Sequence, residues 1–143
     1  MTTYPVPSSE FQATPEDIKA IIEVSRDYTE GWFTANEERV RRSLHPELVK
    51  RTIWYDLQND TWQVGNTLTA EVMVGFTREG GGSALQEFEK AYEVCILDVF
   101  RDIATVKVYS YPYMDYLHLV KINGRWLIVN CLYEVRVGEQ TNP

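Results

Sequence analysis

Apolar positions change period once along this chain, from helical spacing in the first half to strand alternation in the second. Ile18, Ile21, Ile22, Ser25, Tyr28 and Trp32 fall on one stripe of a helix that runs to about Phe33. Thr14-Pro15-Glu16-Asp17 opens it: a hydroxyl that can cap, a proline suited to the first position, and two acids at the positive end of the dipole. A shorter helix is expected from Asn36, with Glu37 and Glu38 in its first turn, Arg41 and Arg42 in its last, and Val40 and Leu44 on its buried side. His45-Pro46 closes it, because proline disfavours helical backbone in the residue before it. Residues 48–54 read as a strand and residues 56–65 as a polar, turn-rich connection. A third helix from about Thr69 carries Val72, Met73 and Phe76 and stops at Gly80-Gly81-Gly82.

Beyond residue 92 the period is two. Residues 94–97, 104–108, 114–122 and 126–133 are rich in β-branched and aromatic side chains, separated by Arg101-Asp102, Pro112 and Asn123-Gly124. Asn-Gly favours a type I′ hairpin turn, whose two central residues both need positive φ. The predicted fold class is α+β: three N-terminal helices packed on a strongly curved, mostly antiparallel sheet, with the first strand at an edge and the last four in a meander. Helices laid across the concave face of such a sheet enclose a pocket. The expected organisation is a tail over residues 1–13, one domain over 14–137 and a C-terminal tail over 138–143.

A chain of 143 residues can bury roughly 68–70% of its unfolded surface, so it needs neither disulfide nor metal to stand. A net charge of −7 gives no electrostatic reason to bind nucleic acid. No apolar run approaches the ~20 residues that span a bilayer, and the N-terminus lacks a basic and apolar leader pattern. Cys95 and Cys131 lie in apolar strands and read as buried, reduced thiols, which places the protein in the cytoplasm. Two histidines and two cysteines, all scattered singly, suggest no metal site. No phosphate loop or nucleophile motif appears, so no cofactor is expected.

His118 is the foremost catalytic candidate. If Lys121 faces solvent, alternation turns Tyr116, His118, Val120 and Ile122 to the other face, which would line the cavity. An imidazole there could move protons; the alternatives are a hydrogen-bonded core histidine or one on a partner-facing sheet surface. Asp115, three residues earlier, falls nominally on the opposite face, as a catalytic companion or a strand-end surface group. Asn130 interrupts the series Trp126, Ile128, Leu132 and must find partners if buried, in the pocket or in the structure. Tyr28, Trp32, Met73 and Tyr116 are candidate ligand-binding walls as well as core. Arg51 could offer a fork of donors to a ligand or sit in water. Tyr55, Tyr111 and Tyr133 are further phenols with nothing in their spacing to choose among them.

Three blocks carry a family resemblance: Tyr28-Thr29-Glu30-Gly31-Trp32, the Leu44-His45-Pro46-Glu47-Leu48 stretch with the charged segment before it, and Asp115-Tyr116-Leu117-His118 running on to Gly124-Arg125-Trp126. With the element order, they make the chain resemble the nuclear transport factor two-like superfamily, and within it a lumazine-binding group, over residues 15–135. The resemblance implies a cone-shaped fold shared with ketosteroid isomerases, polyketide cyclases and scytalone dehydratase. The paired carboxylate or carboxylate-tyrosine pattern of ketosteroid isomerases finds no residue-for-residue match. The leading expectation is a small-molecule binding protein that holds a small, flat, partly apolar ligand in the cone. The alternatives are a cofactor-free lyase, isomerase or hydrolase using His118, and a non-catalytic dimeric module. A homodimer is expected through the outer sheet face, because Trp126, Ile128 and Leu132 alternate with Leu127, Val129, Cys131 and Tyr133 and leave neither face polar. The competing cover for that face is the N-terminal tail with Tyr4, Val6 and Phe11.

Overall fold

Local signals start each helix. In a computed structural model describing residues 13–136, Thr14 Oγ1 accepts the Asp17 N–H at 3.1 Å and α1 runs Pro15–Phe33. Asn36 caps α2 (Glu37–Ser43) by accepting the Arg39 N–H at 3.2 Å. Thr69 caps α3 (Ala70–Arg78) through the Val72 N–H at 3.3 Å. The two tail assignments fall almost wholly outside the described residues. Helix α2 ends at Ser43, and His45-Pro46 already belong to strand β1 (Leu44–Asp56). His45 caps no helix carbonyl there; its Nδ1 accepts the Glu47 N–H at 3.0 Å.

The polar stretch read as a connection is mostly a strand, β2 (Thr61–Thr69). Asp56 forms the turn before it, accepting from the Gln58 N–H, the Asn59 side chain and the Gln63 side chain. An outermost strand needs no apolar alternation, and Trp62 and Val64 point into solvent. After α3 come a short 3-10 helix (Glu87–Lys90), β3 (Tyr92–Phe100), β4 (Ile103–Ser110), β5 (Tyr113–Ile122) and β6 (Arg125–Val135). Asn123 and Gly124 have φ of 51° and 79°, as the β5–β6 hairpin requires.

The strand order is β2-β1-β6-β5-β4-β3, so β2 and β3 form the edges and β1 lies inside, correcting its expected edge position. The last four strands do form the meander, and β1 joins it by pairing parallel with β6. All three helices pack on one face around Ile21, Leu48, Met73, Val106, Leu117 and Ile128, each at most 2% exposed. Gly31 lets α1 and α2 cross closely, since a Cβ there would meet Val40 Cγ2 at 2.7 Å. Arg39 ties the same helices through Asp27 at 2.9 Å and Glu30 at 2.7 Å. Of the two cysteines only Cys131 is buried; Cys95 sits on the exposed side of edge strand β3.

Two features reverse the expected strand faces. Lys121 turns toward the helices, donating to Asp17 Oδ1 at 3.0 Å, beside the Trp126 indole N–H that donates to the same oxygen at 2.9 Å. These two bonds hold the Asp17 carboxyl below its ordinary value. In β6, His118 pairs with Asn130 but Leu119 with Ile128, so Val129 is an extra residue. Trp126 and Ile128 face inward before the bulge, and Cys131 after it, which leaves Asn130 and Leu132 on the outer side.

Candidate functional site

Every element that reaches the wide end of the curved sheet contributes to one cavity of about 300 Å³. Helix α1 supplies Tyr28, Thr29, Trp32 and Phe33, and α3 supplies Met73 and Phe76. Lys50 enters from β1, Leu68 from β2, Ser110 from the end of β4, Tyr113 and Asp115 from β5, and Tyr133 from β6. The walls are mostly apolar, with a few polar groups converging, the usual make-up of a small-molecule site.

The polar centre is Lys50. Alternation in β1 turns Leu48, Lys50 and Thr52 toward the helices. Its Nζ donates to the Tyr28 hydroxyl at 2.5 Å and lies 4.4 Å from the Tyr133 ring centre and 5.2 Å from that of Tyr28. Among the described residues no carboxylate lies within ion-pair distance of it. Burial works against its charge, but Tyr28, Cys131 and Asp115 outweigh that and hold the ammonium well above the ordinary lysine value. Burial likewise pushes the Tyr28 phenol well up, against the pull of Lys50.

Asp115 is 6% exposed and shares the cavity. The Cys131 thiol donates to its Oδ1 at 3.8 Å. Burial raises the Asp115 carboxyl, with Lys50 and the thiol acting in the other direction, and burial also raises the Cys131 thiol. A carboxyl tuned this way can take up or release a proton next to a cation and phenols. Tyr113 packs edge-on against Tyr133, with ring centres 6.1 Å apart, and its phenol is also raised by burial.

The cavity brings together Tyr28, Trp32, Met73, Asp115 and Tyr133 from the candidates named from sequence. It leaves out His118, Arg51, Tyr116 and Asn130. His118 and Tyr116 are on the outer sheet face, contrary to the expected alternation, because Lys121, taken as solvent-facing, is the inward residue. His118 Nδ1 lies 3.1 Å from Asn130 Nδ2 there, in a shallow groove with Thr105 and Val120. Arg51 is exposed, one residue from the inward Lys50. Lys50 is the main residue that sequence reasoning missed, and counting alternation from Leu48 would have found it. Among the described residues, no group of three or more His, Cys, Asp or Glu side chains is placed to hold a metal.

The fold recurs in solved structures. Residues 16–134 match the family model described as "Putative lumazine-binding". A solved structure from Silicibacter pomeroyi, an NTF-2 like protein of unknown function, superposes with a TM-score of 0.65 at 16% identity, covering 87% of this chain and all (100%) of that one. An NTF2-like protein from Methylobacillus flagellatus gives 0.62 at 18% identity, over 90% of this chain and 98% of its own. A ketosteroid isomerase-like protein from Erwinia carotovora atroseptica gives 0.58 at 13% identity, over 87% of this chain and 100% of its own. At these identities the structures speak for the fold. No curated protein matches the chain as a relative. The family match runs from the start of α1 nearly to the end of β6, through every element that lines the cavity, and the chain therefore belongs to the family described by that model, on a cone-shaped α+β fold of the NTF2-like and cystatin-like kind.

Proposed function

We propose that this protein binds a small, flat, partly apolar molecule in the cone cavity, its ring between the aromatic walls and its polar edge toward Lys50, Tyr28 and Asp115. One observation carries the reading: the cavity of about 300 Å³ is not filled by the protein's own side chains. That volume is at the low end of the roughly 300–1,000 Å³ of ligand pockets and suits one or two fused rings. The family description points the same way, since lumazine is a fused pteridinedione. Thermal denaturation with a panel of fused heteroaromatics, pteridinediones included, is expected to show a rise of several degrees for at least one compound at ~100 times its Kd. A panel without any shift rejects the reading.

A second reading, proton transfer, draws on Asp115. Its raised carboxyl lies in the same cavity as donors that could receive a developing oxyanion, namely Lys50 and Tyr28. His118 has no place in this version. Asp115→Asn should slow solvent deuterium exchange into a bound ring ketone by at least about 10²-fold; exchange that persists in the variant excludes Asp115 as the base.

The outer sheet face exposes Leu97, Ile103, Tyr109, Tyr116 and Leu132. We propose that two copies pair through it, burying at least ~1,000 Å². Light scattering should then give twice the 16.6 kDa chain mass, and a clean monomer at micromolar concentration rules the pairing out. A cytoplasmic setting fits two free thiols, one of them exposed. No helix among the described residues is long and apolar enough to cross a membrane.

A further inference from the structure

Lys50 is a cation facing a mostly apolar cavity, and among the described residues no carboxylate lies within ion-pair distance of it. Its Nζ has three donors, and among the described residues its hydrogen-bond acceptor is the Tyr28 hydroxyl. The rings of Tyr28 and Tyr133 lie against the ammonium. Such contacts recover only part of the cost of taking an ammonium out of water. Ring faces and one hydroxyl leave the ammonium without a counter-ion in contact, and Asp115 acts on it only from a longer range. Asp115 shares the wall but lies beyond ion-pair distance, with Oδ1 turned to the Cys131 thiol. The remaining donors of Nζ are therefore available to whatever enters.

We propose that Lys50 and Tyr28 form an anion anchor, and that the cavity takes an aromatic ring compound whose polar edge is acidic and bound as its anion. This rests on the binding reading above and narrows it to a ligand class. The ring packs among Trp32, Leu68, Met73 and Phe76, which offer mainly dispersion. The anionic edge completes the coordination of Nζ and accepts from the Tyr28 hydroxyl. Asp115 is the opposing group: an incoming anion adds a second negative charge to its compartment. Its negative charge weakens binding, and an amide of the same shape removes that repulsion.

The test uses matched probes: benzoate, 2-naphthoate and quinoline-2-carboxylate, each against its primary amide, titrated into the full chain by calorimetry. At least one acid is expected to bind tenfold or more tighter than its amide. Lys50→Met should erase that preference, costing the acid at least tenfold more than the amide. Asp115→Asn should tighten acid binding relative to the amide. The wild-type comparison stands even if a variant fails to fold. Acids and amides binding equally, or a preference that survives Lys50→Met, would overturn the anion anchor and leave the binding reading intact. Acids and amides that all fail to bind would overturn both.

Discussion

Leu117→Ala is expected to lower folding stability by about 2–5 kcal/mol, while His118→Ala, one residue along, changes it by less than about 0.5 kcal/mol. Leu117 is fully buried (0% exposed) between the sheet and the helices, and truncating it leaves a cavity that close-packed neighbours cannot fill. Total stability for a domain of this kind is only about 5–15 kcal/mol, so a large part would be lost. His118 is exposed on the outer face, and its partner Asn130 is reachable by water when the ring is removed. Urea denaturation of both variants decides the point. Comparable losses would mean that β5 presents the opposite face to the helices, and the cavity as described would then be wrong.

That pair of residues also shows where the sequence stops being legible. The elements follow from local chemistry: Thr14 and Asn36 as caps, glycines after α3, Asn123-Gly124 in a turn with two positive φ values. The strand faces do not, because alternation specifies two faces and only an anchor residue says which is inside. Lys121 looks like a solvent anchor, yet Asp17 lies 104 residues away in sequence and draws it inward. The Val129 bulge then shifts Asn130 and Cys131 without any glycine or proline to mark it. Lys50 escaped notice for the same reason that Lys121 misled: a lysine in a strand is taken to seek water. Strand β2 was missed because an edge strand can be polar on both faces. Tyr28, Trp32 and Met73 do reach the cavity wall, because helical stripes carry a longer and less ambiguous signal of which face turns inward.

Gly82→Ala is expected to weaken ring-compound binding by at least about tenfold, or 1.4 kcal/mol, through a residue that does not line the cavity. The Trp32 indole lines the cavity on one side and lies against Gly81 and Gly82 on the other. A Cβ at Gly82 would come within 2.5 Å of Trp32 Cδ1, and one at Gly81 within 2.5 Å of Cη2. The indole must then swing away from the turn, and the unfilled volume is in the cavity. Stability should fall by about 1–3 kcal/mol as the wall repacks. Titration of a bound ring compound, followed by tryptophan emission, reads both effects. Affinity unchanged in Gly82→Ala would show that the turn does not set the cavity's width.

The parallel pairing of β1 with β6 has a consequence for how the chain comes to life. Thr52 Oγ1 reaches the Tyr133 carbonyl at 2.8 Å across 81 residues of sequence. During synthesis β1 can form its hairpin with β2 early, but its other edge stays open until β6 has emerged. Closing so long a loop is slow, and an open inner strand is a template for wrong partners in the meantime. Lys50 and Tyr133 stand on those two strands, so the cavity they line is among the last features to be born. A compound of the proposed kind could act only on the finished fold, with no purchase on the nascent one.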